Sequence, residues 1–101
     1  MNARRFEFEW DDKKASANAR KHGVTFELAS TVFEDPRLEA IPDVEHSETE
    51  ERWFSVGFAG DGRILSVVYV WSKSNWADGK IRLISARKST TIEIRTYKEG
   101  L

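Results

Sequence analysis

The chain has 101 residues, the usual size of one domain, and it contains no cysteine, which excludes disulfides and thiolate zinc sites. The sequence has 33% charged residues, no apolar run long enough to span a bilayer and no signal-peptide pattern. The formal net charge of −1 is unevenly divided: residues 1–51 carry seven Lys/Arg against thirteen Asp/Glu, and residues 52–101 carry nine against four. A basic second half permits an anionic ligand on one face, although a general nucleic-acid binder is normally basic overall. We expect one domain over residues 1–101, soluble in a reducing cytoplasm. The two well-separated histidines give no basis for a metal site, and no cofactor is expected.

Phe6-Glu7-Phe8-Glu9-Trp10 alternates aromatic with acidic residues, the period of a strand that buries one face. Asp11 or Asp12 then caps a helix over Lys13–His22, which Gly23 closes in the left-handed conformation, with Ala15, Ala19 and His22 on one face. Thr25 opens a second helix whose stripe of Leu28, Ala29, Val32 and Phe33 dominates the helical side of the core, and Asp35-Pro36 closes it. Leu38–Ile41 reads as a short strand and Pro42–Glu51 as an acidic loop. Trp53–Phe58 and Ile64–Trp71 form a hairpin through Ala59-Gly60-Asp61-Gly62. A wider turn over Ser72–Gly79, carrying Trp76, leads to Lys80–Lys88, where Ile81, Leu83 and Ile84 suit a central strand. Thr90-Thr91-Ile92-Glu93 has the spacing of a capping box and starts a short last helix with Ile94, Tyr97 and Leu101 on one face. The pattern predicts an α+β fold, with two N-terminal helices packed on a mainly antiparallel sheet and a short C-terminal helix.

No P-loop, dinucleotide glycine fingerprint, zinc-protease helix or cysteine nucleophile is present. The remaining candidates are Lys21, His22, His46, Arg52, Arg82, Arg87, Lys88, Arg95 and Tyr97. His22, just before a helix-ending glycine, suits either the negative end of the helix dipole or proton transfer. His46 reads as a solvated side chain, Arg52 as an ion-pair partner after a carboxylate run, and Lys80 with Arg82 as the solvated side of a strand. Arg87 and Lys88 differ, because they leave a central strand directly before a helix start with unpaired N–H groups. Cations there require an anion beside them. Tyr97 packs its ring and leaves its hydroxyl to act or to hydrogen-bond. Trp53, Trp71 and Trp76 are available to stack on bases or a partner, or are ordinary aromatics.

Taken in order, Phe8-Glu9-Trp10-Asp11, Asn18, Lys21-His22-Gly23-Val24, Phe26-Glu27, Val32-Phe33, Asp35-Pro36, His46-Ser47, Glu51-Arg52, Gly62-Arg63 and Ile81-Arg82-Leu83-Ile84-Ser85-Ala86-Arg87 resemble the BrnT toxin family across nearly the whole chain. The Lys-His-Gly-Val and Ile-Ser-Ala-Arg blocks are the most specific. The resemblance implies a RelE-like fold and a ribonuclease toxin of a type II toxin-antitoxin system that arrests growth by cutting RNA. A BrnA-like antitoxin would neutralise it and bind operator DNA, so DNA is met only indirectly, and no membrane is involved. It further implies metal-independent cleavage, in which the ribose 2′-hydroxyl attacks the adjacent phosphate. On that chemistry Arg87 stabilises charge on the phosphoryl oxygens with Arg52 beside it. Arg82, Lys88 and Arg95 contact RNA, and Lys21, His22 or Tyr97 transfers protons. In the last helix Ile92, Ile94 and Thr96 stand where relatives tend to carry arginines, leaving Arg95.

The alternative class is a catalytically weak or inactive domain that acts by binding an antitoxin-like partner protein, which the near-neutral total charge favours. Direct DNA binding ranks last, since no helix-turn-helix with a basic recognition helix is present.

Overall fold

In the computed structural model, which describes residues 5–46, 50–73 and 78–100, the first strand β1 (Arg5–Glu9) runs straight into helix α1 (Asp12–His22). Asp11 caps that helix, its carboxylate accepting from the N–H groups of Lys13 (2.8 Å) and Lys14 (3.1 Å). Arg20, Lys21 and His22 occupy the last turn, where positive charge complements the helix dipole, and Gly23 at φ 67° ends it.

Thr25 caps helix α2 (Phe26–Ser30), which is shorter than the sequence suggested, because from Thr31 to Glu34 the chain tightens into a 3-10 turn. Hydroxyl chemistry accounts for the break. Ser30 Oγ donates to the Glu27 carbonyl (2.7 Å) and Thr31 Oγ1 to that of Leu28 (2.6 Å), competing with the backbone ladder. Thr31 Oγ1 also accepts from the distant Gly60 N–H (2.7 Å), which ties the turn to the hairpin.

The remaining strands are β2 (Glu39–Pro42), β3 (Arg52–Phe58), β4 (Ile64–Lys73) and β5 (Asp78–Lys88), with helix α3 (Thr91–Glu99) last. A short 3-10 turn over Val44–His46 interrupts the expected acidic loop, and both β4 and β5 extend into the expected wide turn. The sheet has five strands in the order β1-β5-β4-β3-β2, antiparallel except for the parallel pair β1–β5. The strand singled out in the sequence is therefore flanked on both sides. The α+β architecture is the expected one, with three helices and a mainly antiparallel sheet.

One face of the sheet carries α1, α2 and the 3-10 turn over a core of Val24, Phe26, Ala29, Val32, Leu65, Val67, Tyr69, Ile81, Leu83 and Ala86, all buried. Each large side chain there contributes roughly 1.5–3 kcal/mol by leaving water. Phe33 meets Phe6, Phe8 and Tyr69 in an aromatic cluster, with centroid distances of 6.2, 5.5 and 4.9 Å. Gly57 permits the turn to approach β3, since a Cβ there would lie 2.7 Å from Leu38 Cδ1.

β1 pairs with β5 only as far as Glu9 opposite Arg82. Beyond that point the side chain of Asn18 takes over as a substitute strand. Its Oδ1 accepts from Ala86 N (3.0 Å), and its Nδ2 donates to the carbonyls of Ala86 and Val24 (2.9 Å each). Asn18 is buried in an otherwise polar helix for this reason.

α3 returns to the opposite face. Its capping box is complete, with Glu93 N donating to Thr90 Oγ1 (3.1 Å) and Thr90 N to Glu93 Oε1 (2.9 Å). Tyr97 is buried with its ring edge-on to Phe58 (5.9 Å), and its hydroxyl donates to Asp35 Oδ2 (2.5 Å), which also accepts from Phe58 N (2.8 Å). Helix, sheet and the end of the 3-10 turn are thus joined at one carboxylate.

Candidate functional site

The face that α3 only partly covers is organised in rows by strand register. Arg52, Val70 and Arg82 form one row, Phe54, Val68 and Ser85 the next, and Val56, Ser66 and Arg87 a third. Strict alternation along β5 would send Arg82 and Arg87 to opposite faces, since an odd number of positions separates them. The register shift between Val68 and Tyr69, whose partners are Ser85 and Leu83, leaves Ile84 over as an extra residue. This bulge returns Arg87 to the face of Arg82 while Leu83 and Ala86 both stay in the core. Along the strand direction the two arginines stand roughly 13 Å apart, from the rise per residue of β4 between Ser66 and Val70.

At the α3 end, Arg87 meets Glu93 in a two-pronged contact, Nη1 to Oε1 at 2.8 Å and Nη2 to Oε2 at 2.9 Å. Nη1 also reaches the Lys88 carbonyl at 3.3 Å, and the guanidinium carbon lies 6.0 Å from the centre of the Phe54 ring. Glu93 Oε1 further accepts from Ser66 Oγ (2.9 Å), which in turn lies 2.7 Å from Ser89 Oγ. The hydrogen bond from Arg87 acts foremost, against the opposing effect of burial, and the Glu93 carboxyl is held down at about 2. The anion expected between Arg87 and the helix start is supplied here by the chain itself, as the carboxylate of the capping box.

At the other end of the face, Arg82 pairs with Glu50, and both side chains are about one-third exposed or more. The Arg82 hydrogen bond lowers the Glu50 carboxyl, with the charges of Arg52 and Lys14 adding to it. Lys80, on the same strand face, lies 4.0 Å from Glu9. The basic second half of the sequence therefore meets carboxylates of the acidic first half at Glu9 and Glu50. Arg52, half-buried, opens β3 in register with Val70 and Arg82, and its carbonyl accepts from Asp43 N (2.7 Å).

The structure thus brings Arg52, Arg82 and Arg87 onto one face around Phe54. Lys21 and His22 are elsewhere, in the last turn of α1 in the helical layer, one turn beyond the Asn18 that holds Ala86. Lys88, exposed, closes β5 opposite Leu65, and Arg95 is exposed on α3. Tyr97 has the core ring that was expected, but its hydroxyl is engaged. Burial, reinforced by the Asp35 carboxylate, pushes it up to about 12. Trp53 and Trp71 pack against the core cluster on the helical side, so neither offers a stacking surface on the arginine face. Trp76, Ser47, Leu101 and the side chain of His46 lie outside the described residues.

Two features escaped the sequence reading. Phe54 is the aromatic of the open face, and its signal was its even spacing from Arg52 in a strand whose odd members face the core. Glu93, which the spacing predicts as a helix cap, also meets Arg87 across the Ser89-Thr90 turn and so has a second role. Among the described residues no group of three or more His, Cys, Asp or Glu could hold a metal ion, and no described helix is long and apolar enough to cross a membrane.

Residues 10–93 match the family model of the ribonuclease toxin BrnT of type II toxin-antitoxin systems. Among solved structures, the chain is similar to the 1.1 Å crystal structure of the Brucella abortus ribonuclease toxin BrnT, with a TM-score of 0.61 and 19% identity over 86% of this chain and 99% of that one. At that identity the likeness establishes the fold. No curated protein matches the chain.

Proposed function

We propose that this chain, which belongs to the BrnT family of ribonuclease toxins of type II toxin-antitoxin systems, cleaves RNA laid across the open face of its sheet, without a metal ion. The observation that carries this reading is the placement of Arg52, Arg82 and Arg87 on the face that bears Phe54, with the bulge at Ile84 bringing Arg87 to the side of Arg82. Guanidinium groups hold phosphoryl oxygens in a fixed plane, and an aromatic face between them accepts a base.

In this mechanism the 2′-oxygen loses its proton and attacks the adjacent phosphorus. The bond from phosphorus to the 5′-oxygen breaks, leaving a 2′,3′-cyclic phosphate and a protonated 5′-hydroxyl. Arg87 stabilises the charge that develops on the phosphoryl oxygens, and Arg52 and Arg82 hold the neighbouring backbone. Lys88 and Arg95, both exposed, add peripheral RNA contacts. Proton transfer is left to Lys21 or His22, which lie in the helical layer one turn beyond Asn18 and would act on the phosphate from around the edge of β5 that β1 leaves uncovered past Glu9. Tyr97 takes no part, because its hydroxyl is already donated to Asp35.

The toxin works in the cytoplasm, arrests growth by destroying RNA, is neutralised by a BrnA-like antitoxin and meets DNA only through that partner. Expression in a bacterial host should stop growth, and co-expression of the antitoxin should restore it. Arg87→Ala should remove toxicity and lower RNA cleavage by about 10²- to 10³-fold while circular dichroism stays native. Intact RNA at high protein concentration, with antitoxin binding retained, would support the partner-binding class instead.

A further inference from the structure

Arg87 is the residue on which the proposed chemistry depends, yet a guanidinium on a flexible stem has no fixed direction of its own. In this fold its Nη1–Nη2 end is taken by Glu93, and the second Nη1 hydrogen goes to the Lys88 carbonyl. What remains is the side edge, Nε–H and the outer Nη2–H, for which there is no partner among the described residues. That edge is a two-donor fork of the kind that grips two oxygens of one phosphoryl group. Glu93 is itself immobilised, by the Thr90 N–H, the Ser66 hydroxyl and the helix that carries it. Ser66 is 2% exposed and sits in the same row as Arg87, with Ser89 donating to it so that its own hydrogen points at Glu93. The chain Ser89, Ser66, Glu93, Arg87 therefore runs from strand and helix start to the guanidinium without an unassigned link.

We infer that Glu93 is a positioning residue for the reaction: it clamps the far end of the Arg87 guanidinium so that the Nε–Nη2 edge faces the scissile phosphate over Phe54. This rests on the ribonuclease reading given above. Glu93 is not a competitor for the phosphate, because it occupies the other edge of the guanidinium. It does not touch the substrate, and acts only through Arg87.

Glu93→Gln tests the clamp with little disturbance of the helix, because glutamine also serves at this position of a capping box. With RNA saturating, the variant should lose about tenfold in kcat with KM changed little, the mark of an interaction made in the transition state. In an Arg87→Ala background the same substitution should have no further effect. A second measurement needs no catalysis. The Arg87 Nη–H resonance, identified by its absence in Arg87→Ala, should be sharp and slow to exchange in the wild type, where Glu93 holds both Nη groups, and broadened by rotation and exchange in Glu93→Gln. The inference is overturned by a fully active Glu93→Gln protein, by an equal loss in both backgrounds, or by a resonance equally sharp with and without the carboxylate. If the wild type cuts no RNA, the ribonuclease reading fails, and the resonance still decides whether Glu93 holds Arg87.

Discussion

Arg87 and Arg82 lie on the same strand face and each meets a glutamate, but the two pairs are built differently. Glu93 belongs to a helix start, is reached by a backbone N–H and a serine hydroxyl as well as by Arg87, and is only 22% exposed. Glu50 comes from the segment between β2 and β3, and its pair with Arg82 is an exposed one. The first carboxylate is part of the framework, so it can orient an arginine. The second is screened by water and adds little to stability, so it leaves its arginine available to a stronger anion. The comparison shows that an arginine already paired can either be prepared for a ligand or merely covered, and that the number of other bonds on the carboxylate distinguishes the two cases.

The largest effect that would break this contrast is a kinetic one. Arg87→Ala should lower kcat for RNA cleavage by about 10²- to 10³-fold, as removal of a donor to a developing charge does. Arg82→Ala should instead act mainly on KM, because the proposed mechanism gives that residue a backbone contact at a distance from the reacting phosphate. Equal losses in kcat for the two variants would erase the distinction.

Stability should divide along the same line. On the β1 side, the strand behind Arg82 is anchored by β1, whereas behind Arg87 that edge is held by one side chain, Asn18, through two hydrogen bonds to Ala86. Asn18→Ala strands the Ala86 N–H and carbonyl and should cost about 3 kcal/mol in chemical denaturation, with the exchange of the Ala86 and Arg87 amides rising first.

Titration should show a smaller effect. Glu93 ionises at about 2 in the folded chain against an ordinary value of 4.5. A lowered folded-state value means that its contribution is fully present above about pH 4.5 and disappears as the pH falls through about 2. Glu93→Gln should therefore flatten the acid limb of the stability curve between those values. An acid limb unchanged by the substitution would show that the carboxylate is not held as described.

The smallest effect belongs to Glu50. Glu50→Ala should leave the melting temperature within error and tighten the binding of a non-cleavable 2′-O-methyl oligonucleotide by a few-fold, because Arg82 no longer has a competing anion. Weaker binding would mean that Glu50 supports the site as Glu93 does.

Much of the fold was legible in the sequence because local chemistry agreed with it: Asp11 and Gly23 bracket α1, Gly62 turns the hairpin, and Thr90 with Glu93 starts α3. The site was legible only in outline. Its arginines were visible as residues, but the bulge that assembles them was not, since an apolar Ile84 between Leu83 and Ser85 fits an unbroken strand equally well. Asn18 looked like one more polar residue on a polar helix, because a side chain standing in for a strand leaves no periodic trace. The tryptophans drew attention for their size, yet parity along β3 places Trp53 in the core and Phe54 on the open face. The demand for an anion at Arg87 was sound electrostatics, and a residue six positions further along the chain meets it.

The most direct test is to incubate the purified protein with a defined RNA in excess EDTA and identify the ends of the products by mass spectrometry. The account predicts fragments bearing a 2′,3′-cyclic phosphate and a 5′-hydroxyl from the wild type, formed about 10²- to 10³-fold more slowly by folded Arg87→Ala. RNA that stays intact in EDTA and is cut only when a divalent metal is restored, or a folded Arg87→Ala protein as active as the wild type, would contradict it.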